Sequence, residues 1–302
     1  MNAQDTSTGR YAQFADIRKE VSELGGQYIE LPTHVIVHIP GKDRLVATFD
    51  NRAALNSNDQ RRPWGDKLIL EQGWGCLGVM AIEQNWYRCP DLYPTLETLV
   101  ANTLVPAYSG FSLYGNSMGG SGALTFSRLF PDPITVTFNP QTSLMHDVVP
   151  FERRFEPGRG LGDWTGPYVD GAEGAACAAK NYVFYDPMVV EDKLHALRLV
   201  GANSVMFPCP WLTHPFMPVL ASMQLLKPSA VSALEGTLTR KTFFDDFRRR
   251  RFSDRYMQEL LTAAVSRGHC RLARAALEKR LLQRQSNQRD LLEGIVAAGG
   301  HL

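Results

Sequence analysis

Little in this chain points to a metal, a membrane or a disulfide scaffold. The five cysteines, Cys76, Cys89, Cys177, Cys209 and Cys270, are odd in number and widely spaced. No CxxC pair occurs and no histidine lies at ligand spacing, so neither a disulfide framework nor a zinc site is supported, and reduced thiols are expected. No stretch offers the roughly eighteen uninterrupted apolar residues of a membrane span. The N-terminus, MNAQDTSTGRYAQFADIRKE, is polar where a signal peptide would carry an apolar core. The expectation is a cytoplasmic protein with no membrane partner. A net charge of +1 names no strongly charged partner by itself. What is present is the composition of a globular protein with a sizeable core: 302 residues, 44% apolar and 21% charged, with fifteen phenylalanines, ten tyrosines and five tryptophans. That length suits one large α/β domain plus a small appendage.

Short runs rich in β-branched and aromatic residues alternate with helix-like segments through the first two thirds. HVIVHI (34–39) and RLVATF (44–49) read as successive antiparallel strands joined by the turn PGKD. GVMAIE (78–83) predicts a strand, followed by a helix from Pro90 or Asp91 with Leu96, Leu99, Val100 and Leu104 on one face. FSLYG, PITVTF, YVFY and SVMF predict further strands, with helices over 121–130 and 191–200. Strand, helix, strand in repetition implies right-handed crossovers and a mostly parallel sheet with helices on both faces. The domain so defined spans 1–232. Within it, 141–181 is glycine-rich and reads as a lid-like insertion. Residues 233–302 read as a basic helical C-terminal module, the last 62 of them carrying 13 basic and 7 acidic side chains.

GNSMG fits G-x-S-x-G, with Ser117 between Gly115 and Gly119, directly after one predicted strand and before a predicted helix. A nucleophile elbow needs small residues two positions either side of the serine, because larger ones would clash with the crossing strand and helix. The turn would point the hydroxyl into solvent and put the Met118 amide at a helix N-terminus, as an oxyanion donor. The second donor is expected from the loop after Phe49, from the amide of Asp50 or of Asn51, with Asn51 taken as the assignment.

A serine hydroxyl needs a base, and the base needs an acid to fix its tautomer. In an elbow fold the order is Ser, Asp or Glu, His, each beyond the end of a later strand. Asp186 stands directly after YVFY and His214 a few residues beyond SVMF. The sequence therefore assigns Asp186 as acid and His214 as base. Glu191 and Asp192 are rivals read as the first turn of a helix, where the macrodipole favours acidic residues. His34 and His38 read as half-buried strand residues, His146 lies in the lid-like segment, His195 reads as an outward or capping helix residue, and His269 and His301 belong to the tail. Trp86 and Tyr87 in QNWYR are candidates for lining a substrate pocket, and Asn139 and Gln141 in FNPQ for bonding substrate.

The elbow LYGNSMGGSGAL, the acid in YDPMV and the histidine in LTHPF together resemble the α/β-hydrolase superfamily of serine hydrolases, over roughly Tyr28 to Pro228. NSMGG with FNPQTSL and NWY more loosely resembles a bacterial branch associated with surface polysaccharide and the accessory export of glycoproteins. The resemblance implies an α/β-hydrolase-type sheet and an enzyme that deacylates a small or carbohydrate-linked ester through an acyl-enzyme, without a cofactor or metal. No HGGG or HG loop follows Phe49, a departure from common esterases. The alternatives are acyl transfer by the same triad, or a non-catalytic scaffold that docks a protein partner through its C-terminal helices. Arg248 to Arg251 form a run that no nucleic-acid module surrounds, so a solvated, partly paired helix is expected rather than a nucleic-acid site.

Overall fold

The computed structural model describes residues 10–56 and 59–279. Eight strands form one sheet: β1 (Gln27–Leu31), β2 (His34–Ile39), β3 (Arg44–Phe49), β4 (Gly75–Ala81), β5 (Gly110–Asn116), β6 (Ile134–Phe138), β7 (Lys180–Tyr185) and β8 (Ser204–Pro208). Their spatial order is β1-β2-β4-β3-β5-β6-β7-β8. β2 runs antiparallel to both β1 and β4, and every other pair is parallel. This is the α/β-hydrolase architecture.

The antiparallel start differs from the expected one. β2 and β3 do run in opposite directions, but β4 inserts between them, and the true hairpin is β1 with β2. The reason lies in β4. Its seven residues, GCLGVMA, are all buried, as are the six of β2 and five of the six in β3. A strand this apolar on both faces is stable only in the sheet interior, and each fully buried Val, Leu, Ile or Phe contributes about 1.5–3 kcal/mol.

Helices cover both faces: α1 (Ala15–Glu23), α2 (Asp66–Leu70), α3 (Leu92–Leu99), α4 (Met118–Phe126), α5 (Glu156–Leu161), α6 (Gly171–Cys177), α7 (Val190–Leu197), α8 (Met217–Ser222), α9 (Leu226–Leu234) and α10 (Arg240–Phe247). The predicted helix after Pro90 is α3, which passes into a π-turn over Val100–Leu104. Two short helices, α5 and α6, lie in the glycine-rich stretch 141–181; α6 directly precedes β7 and packs on α4. Among the described residues no helix is long and apolar enough to cross a membrane.

The chain divides into two compact units at Arg248/Arg249. α10 belongs to the first unit, because Phe243 packs edge-on against Phe207 and Phe184, with ring centres 5.0 and 5.3 Å apart. A Thr239/Thr242 capping box starts that helix. The unit boundary therefore falls some 16 residues beyond the expected 232/233. Arg248 to Arg251 lie in a 3₁₀ turn rather than an α-helix, and Arg248 pairs with Asp245 at 3.6 Å. The second unit contains α11 (Asp254–Ser266), capped by Ser253. The last predicted helix, NQRDLLEGIVAAGG, and His301 lie outside the described residues.

Candidate active site

Ser117 sits between β5 and α4 with φ +53° and ψ −118°, a conformation that costs on the order of 1–3 kcal/mol for a residue with a side chain. The surroundings enforce it. The Ser117 amide donates to Phe138 O at 2.8 Å, and the Ser121 amide donates to Ser117 O at 3.1 Å. A Cβ on Gly115 would stand 2.1 Å from Gly119 O, and one on Gly119 would stand 2.2 Å from Phe49 O. Both glycines are thus required by backbone approaching backbone, which is the steric basis of the pentapeptide.

His214 Nε2 lies 2.9 Å from Ser117 Oγ. Its Nδ1 faces the carboxylate of Asp192, 2.9 Å from each oxygen. A carboxylate accepts, so Nδ1 carries the proton and Nε2 is left as the acceptor for the serine hydroxyl. The acid expected at Asp186 is therefore corrected: the carboxylate on His214 is that of Asp192, on the first turn of α7. Asp186 does other work. Its carboxylate accepts from the amides of Met188 (2.8 Å), Trp211 (3.2 Å) and Thr213 (2.7 Å). Burial pushes its pKa up, against the pull of those amides. Asp186 thereby clamps the loop that delivers His214, in which Trp211 and Thr213 both adopt positive φ. Asn139 completes the clamp, accepting from the Asp186 amide at 3.1 Å and donating to His214 O at 2.5 Å.

Asp192 is itself held from behind. Arg154 Nη1 donates to it at 2.8 Å, and Arg154 Nη2 donates to Glu152 at 2.6 Å. Glu152 also accepts from His195 Nε2 at 3.2 Å, while His195 Nδ1 accepts from the Thr142 amide at 3.1 Å. His195 is fully buried, contrary to the outward position expected for it, and burial lowers its pKa more than Glu152 raises it. Burial alone would raise Glu152, but the hydrogen bonds from His195 and Arg154 and the charge of Arg154 bring it down to about 2. Of the histidines read as half-buried, His34 is wholly inside, where desolvation lowers its pKa to about 3. His38 bonds Tyr108 Oη at 2.8 Å.

Of the two expected oxyanion donors, one opens a helix and the other lies in the loop after β3. Met118 opens α4, and the Asp50 amide is directed at Val79 O (3.4 Å), so of the two amides weighed in that loop it is the Asn51 amide that has no such partner among the described residues. Asn51 Oδ1 caps the following turn by accepting from the Ala54 amide at 3.1 Å. Tyr87, expected to line the pocket, is instead buried at 1% exposure; its hydroxyl donates to Asp50 O at 2.6 Å and its ring packs on His34 and Phe49. It props the loop after β3 from inside the core rather than lining a pocket. Trp86 is buried too, at 3%, tilted against Phe155 with ring centres 5.0 Å apart and donating to Gln141 Oε1 at 3.1 Å. Gln141 Oε1 lies 3.4 Å from Ser117 Oγ, whereas Asn139 spends both ends of its amide inside the protein.

Beneath this loop Asp50 and Arg61 form a buried ion pair, with Arg61 also donating to Ala81 O at 2.9 Å and Asp50 accepting from the Ala81 amide at 3.1 Å. The pair ties the ends of β3 and β4 together. Arg61→Leu leaves the Asp50 charge buried without its partner and is expected to cost about 3–5 kcal/mol, read as a lowered denaturant midpoint. Adding Asp50→Asn to Arg61→Leu should recover part of that loss.

Sequence reasoning missed Arg154 and Glu152 and set Asp192 aside. An acidic residue in the first turn after a strand was the available signal, since that turn still lies at the carboxyl edge of the sheet. Among the described residues no three His, Cys, Asp or Glu side chains come together as a metal site would need.

No protein-family model matches the sequence, and no curated protein matches it. Among solved structures, the chain is similar to a bacterial heroin esterase (17% identity, 77% of this chain and 91% of that one, TM-score 0.46). It is also similar to a carboxyl esterase from the mycorrhizal fungus Tuber melanosporum (14%, 73% and 85%, 0.45). A third is the capsule O-acetyltransferase of Neisseria meningitidis serogroup A (13%, 70% and 95%, 0.44).

Proposed function

We propose that the protein is a serine hydrolase that cleaves a carboxylic ester through an acyl-enzyme, with Ser117, His214 and Asp192 as nucleophile, base and acid. The observation that carries this reading is the unbroken chain of contacts from the strained Ser117 through His214 to Asp192. Ser117 Oγ attacks the ester carbonyl while His214 Nε2 takes its proton, and Asp192 stabilises the imidazolium that forms. The amides of Met118 and Asn51 receive the oxyanion, a term on the order of 3–4 kcal/mol for one good donor. His214 then returns the proton to the leaving alcohol, and the same nitrogen activates the water that releases the acid.

A fluorophosphonate probe is expected to label the folded protein once, with the added mass on the peptide carrying Ser117, and not to label Ser117→Ala. A folded protein that resists the probe would overturn the assignment.

A further inference from the structure

Arg52 follows Asn51 and is exposed beside the site. Its Nε donates to Gln84 Oε1 at 3.0 Å, and its guanidinium carbon lies 5.5 Å from the centre of the Phe155 ring. The same ring stands 6.0 Å from that of His214, so a single aromatic side chain separates Arg52 from the base. Five carboxylates of the surrounding loops and helices are answered by other cations. Glu83 pairs with Arg10, Asp50 with Arg61, Glu156 with Arg159, and both Glu152 and Asp192 with Arg154. Among the described residues, Arg52 makes no ion pair, and its two Nη groups have no hydrogen-bond partner.

Holding a long side chain in one place costs rotamer entropy that a solvated surface arginine would keep. Here the neutral Gln84 amide fixes the guanidinium plane and the Phe155 ring supports it, which leaves the Nη fork pointing away from its tether. A fork of this kind matches two oxygens of a carboxylate or phosphate. We propose that the ester substrate carries such an anionic group and that Arg52 binds it. The proposal rests on the esterase reading of Ser117 and names the substrate class that this site prefers.

The test compares esters matched in size but not in charge. Ethyl hexanoate against monoethyl adipate places the anion on the acyl side. 4-Methylphenyl acetate against 4-acetoxybenzoate places a carboxylate on the alcohol side, and 4-acetoxyphenyl phosphate places a phosphate there. In at least one pair the anionic member is expected to have the higher kcat/KM. Arg52→Gln should lower the anionic-to-neutral ratio about 10-fold, Arg52→Lys should restore part of it, and high salt should compress it. A ratio that Arg52→Gln leaves unchanged in every pair overturns the proposal. Binding of 4-acetoxybenzoate to Ser117→Ala protein, followed by calorimetry, separates this outcome from failure of the esterase reading. With monoethyl adipate and 4-acetoxyphenyl phosphate measured in the same way, a loss of affinity for any of the three on adding Arg52→Gln supports the anion site whatever the turnover, and equal affinity for all three overturns it.

Discussion

Ser117→Ala lowers kcat for ester hydrolysis by about 10⁶-fold, His214→Ala by about the same factor, and the double variant by little more than either alone. The three expectations follow from one geometry. The hydroxyl and the imidazole are 2.9 Å apart and act as a unit, so removing either forfeits the attack itself. What survives is the contribution of the oxyanion donors and of binding, about 10³–10⁴ over the uncatalysed rate. Initial rates on an activated acetate ester, with circular dichroism to establish folding, make the measurement. Losses that simply multiply in the double variant would show that the two side chains act independently and would remove His214 as the base. Because Ser117 holds its strained backbone through its own amide and carbonyl, the alanine variant should fold as the parent does.

Asp192→Asn is expected to lower kcat by about 10⁴-fold while the protein stays folded, because an amide can offer its NH₂ to Nδ1 and hold the imidazole in the wrong tautomer. Asp186→Asn should behave differently. It weakens three amide-to-carboxylate bonds in the loop that carries His214, so the expected result is a stability loss of about 1–3 kcal/mol and a far smaller change in kcat. The comparison needs both variants under the same conditions, with kcat and denaturant midpoint measured for each. A tolerant Asp192 beside an Asp186→Asn variant that loses 10⁴-fold would reverse the assignment. Arg154 sharpens the distinction, since it keeps Glu152 as a partner when Asp192 loses its charge, so the fold around α7 is not left with an unpaired cation.

Particular elements mark how far the sequence reaches. The strands β5, β6, β7 and β8 and the elbow could be read from local pattern alone. Where β4 sits could not, because PGKD is equally compatible with a two-strand hairpin and with strands parted by a third; the pairing is decided by which strand must be buried on both faces. Trp86 and Tyr87 carried the opposite lesson. Aromatic residues just past a strand end look like pocket walls, but the loop folds inward with positive φ at both positions, and the two rings fill the core under Phe155 and Asp50.

By itself the sequence picked out Ser117 and His214, the two side chains that the fold brings within 2.9 Å of each other. Ser117 is bracketed by glycines that backbone contacts demand, and His214 follows the last strand at the carboxyl edge of the sheet. Only the tertiary structure decided which carboxylate meets His214. Asp186 ends β7 and Asp192 lies in the first turn of the helix that follows it, so both stand at the same edge. Chain order cannot separate them. The loop from Trp211 to His214 wraps over Asp186 and uses up that carboxylate on its own amides, and this leaves the imidazole facing Asp192.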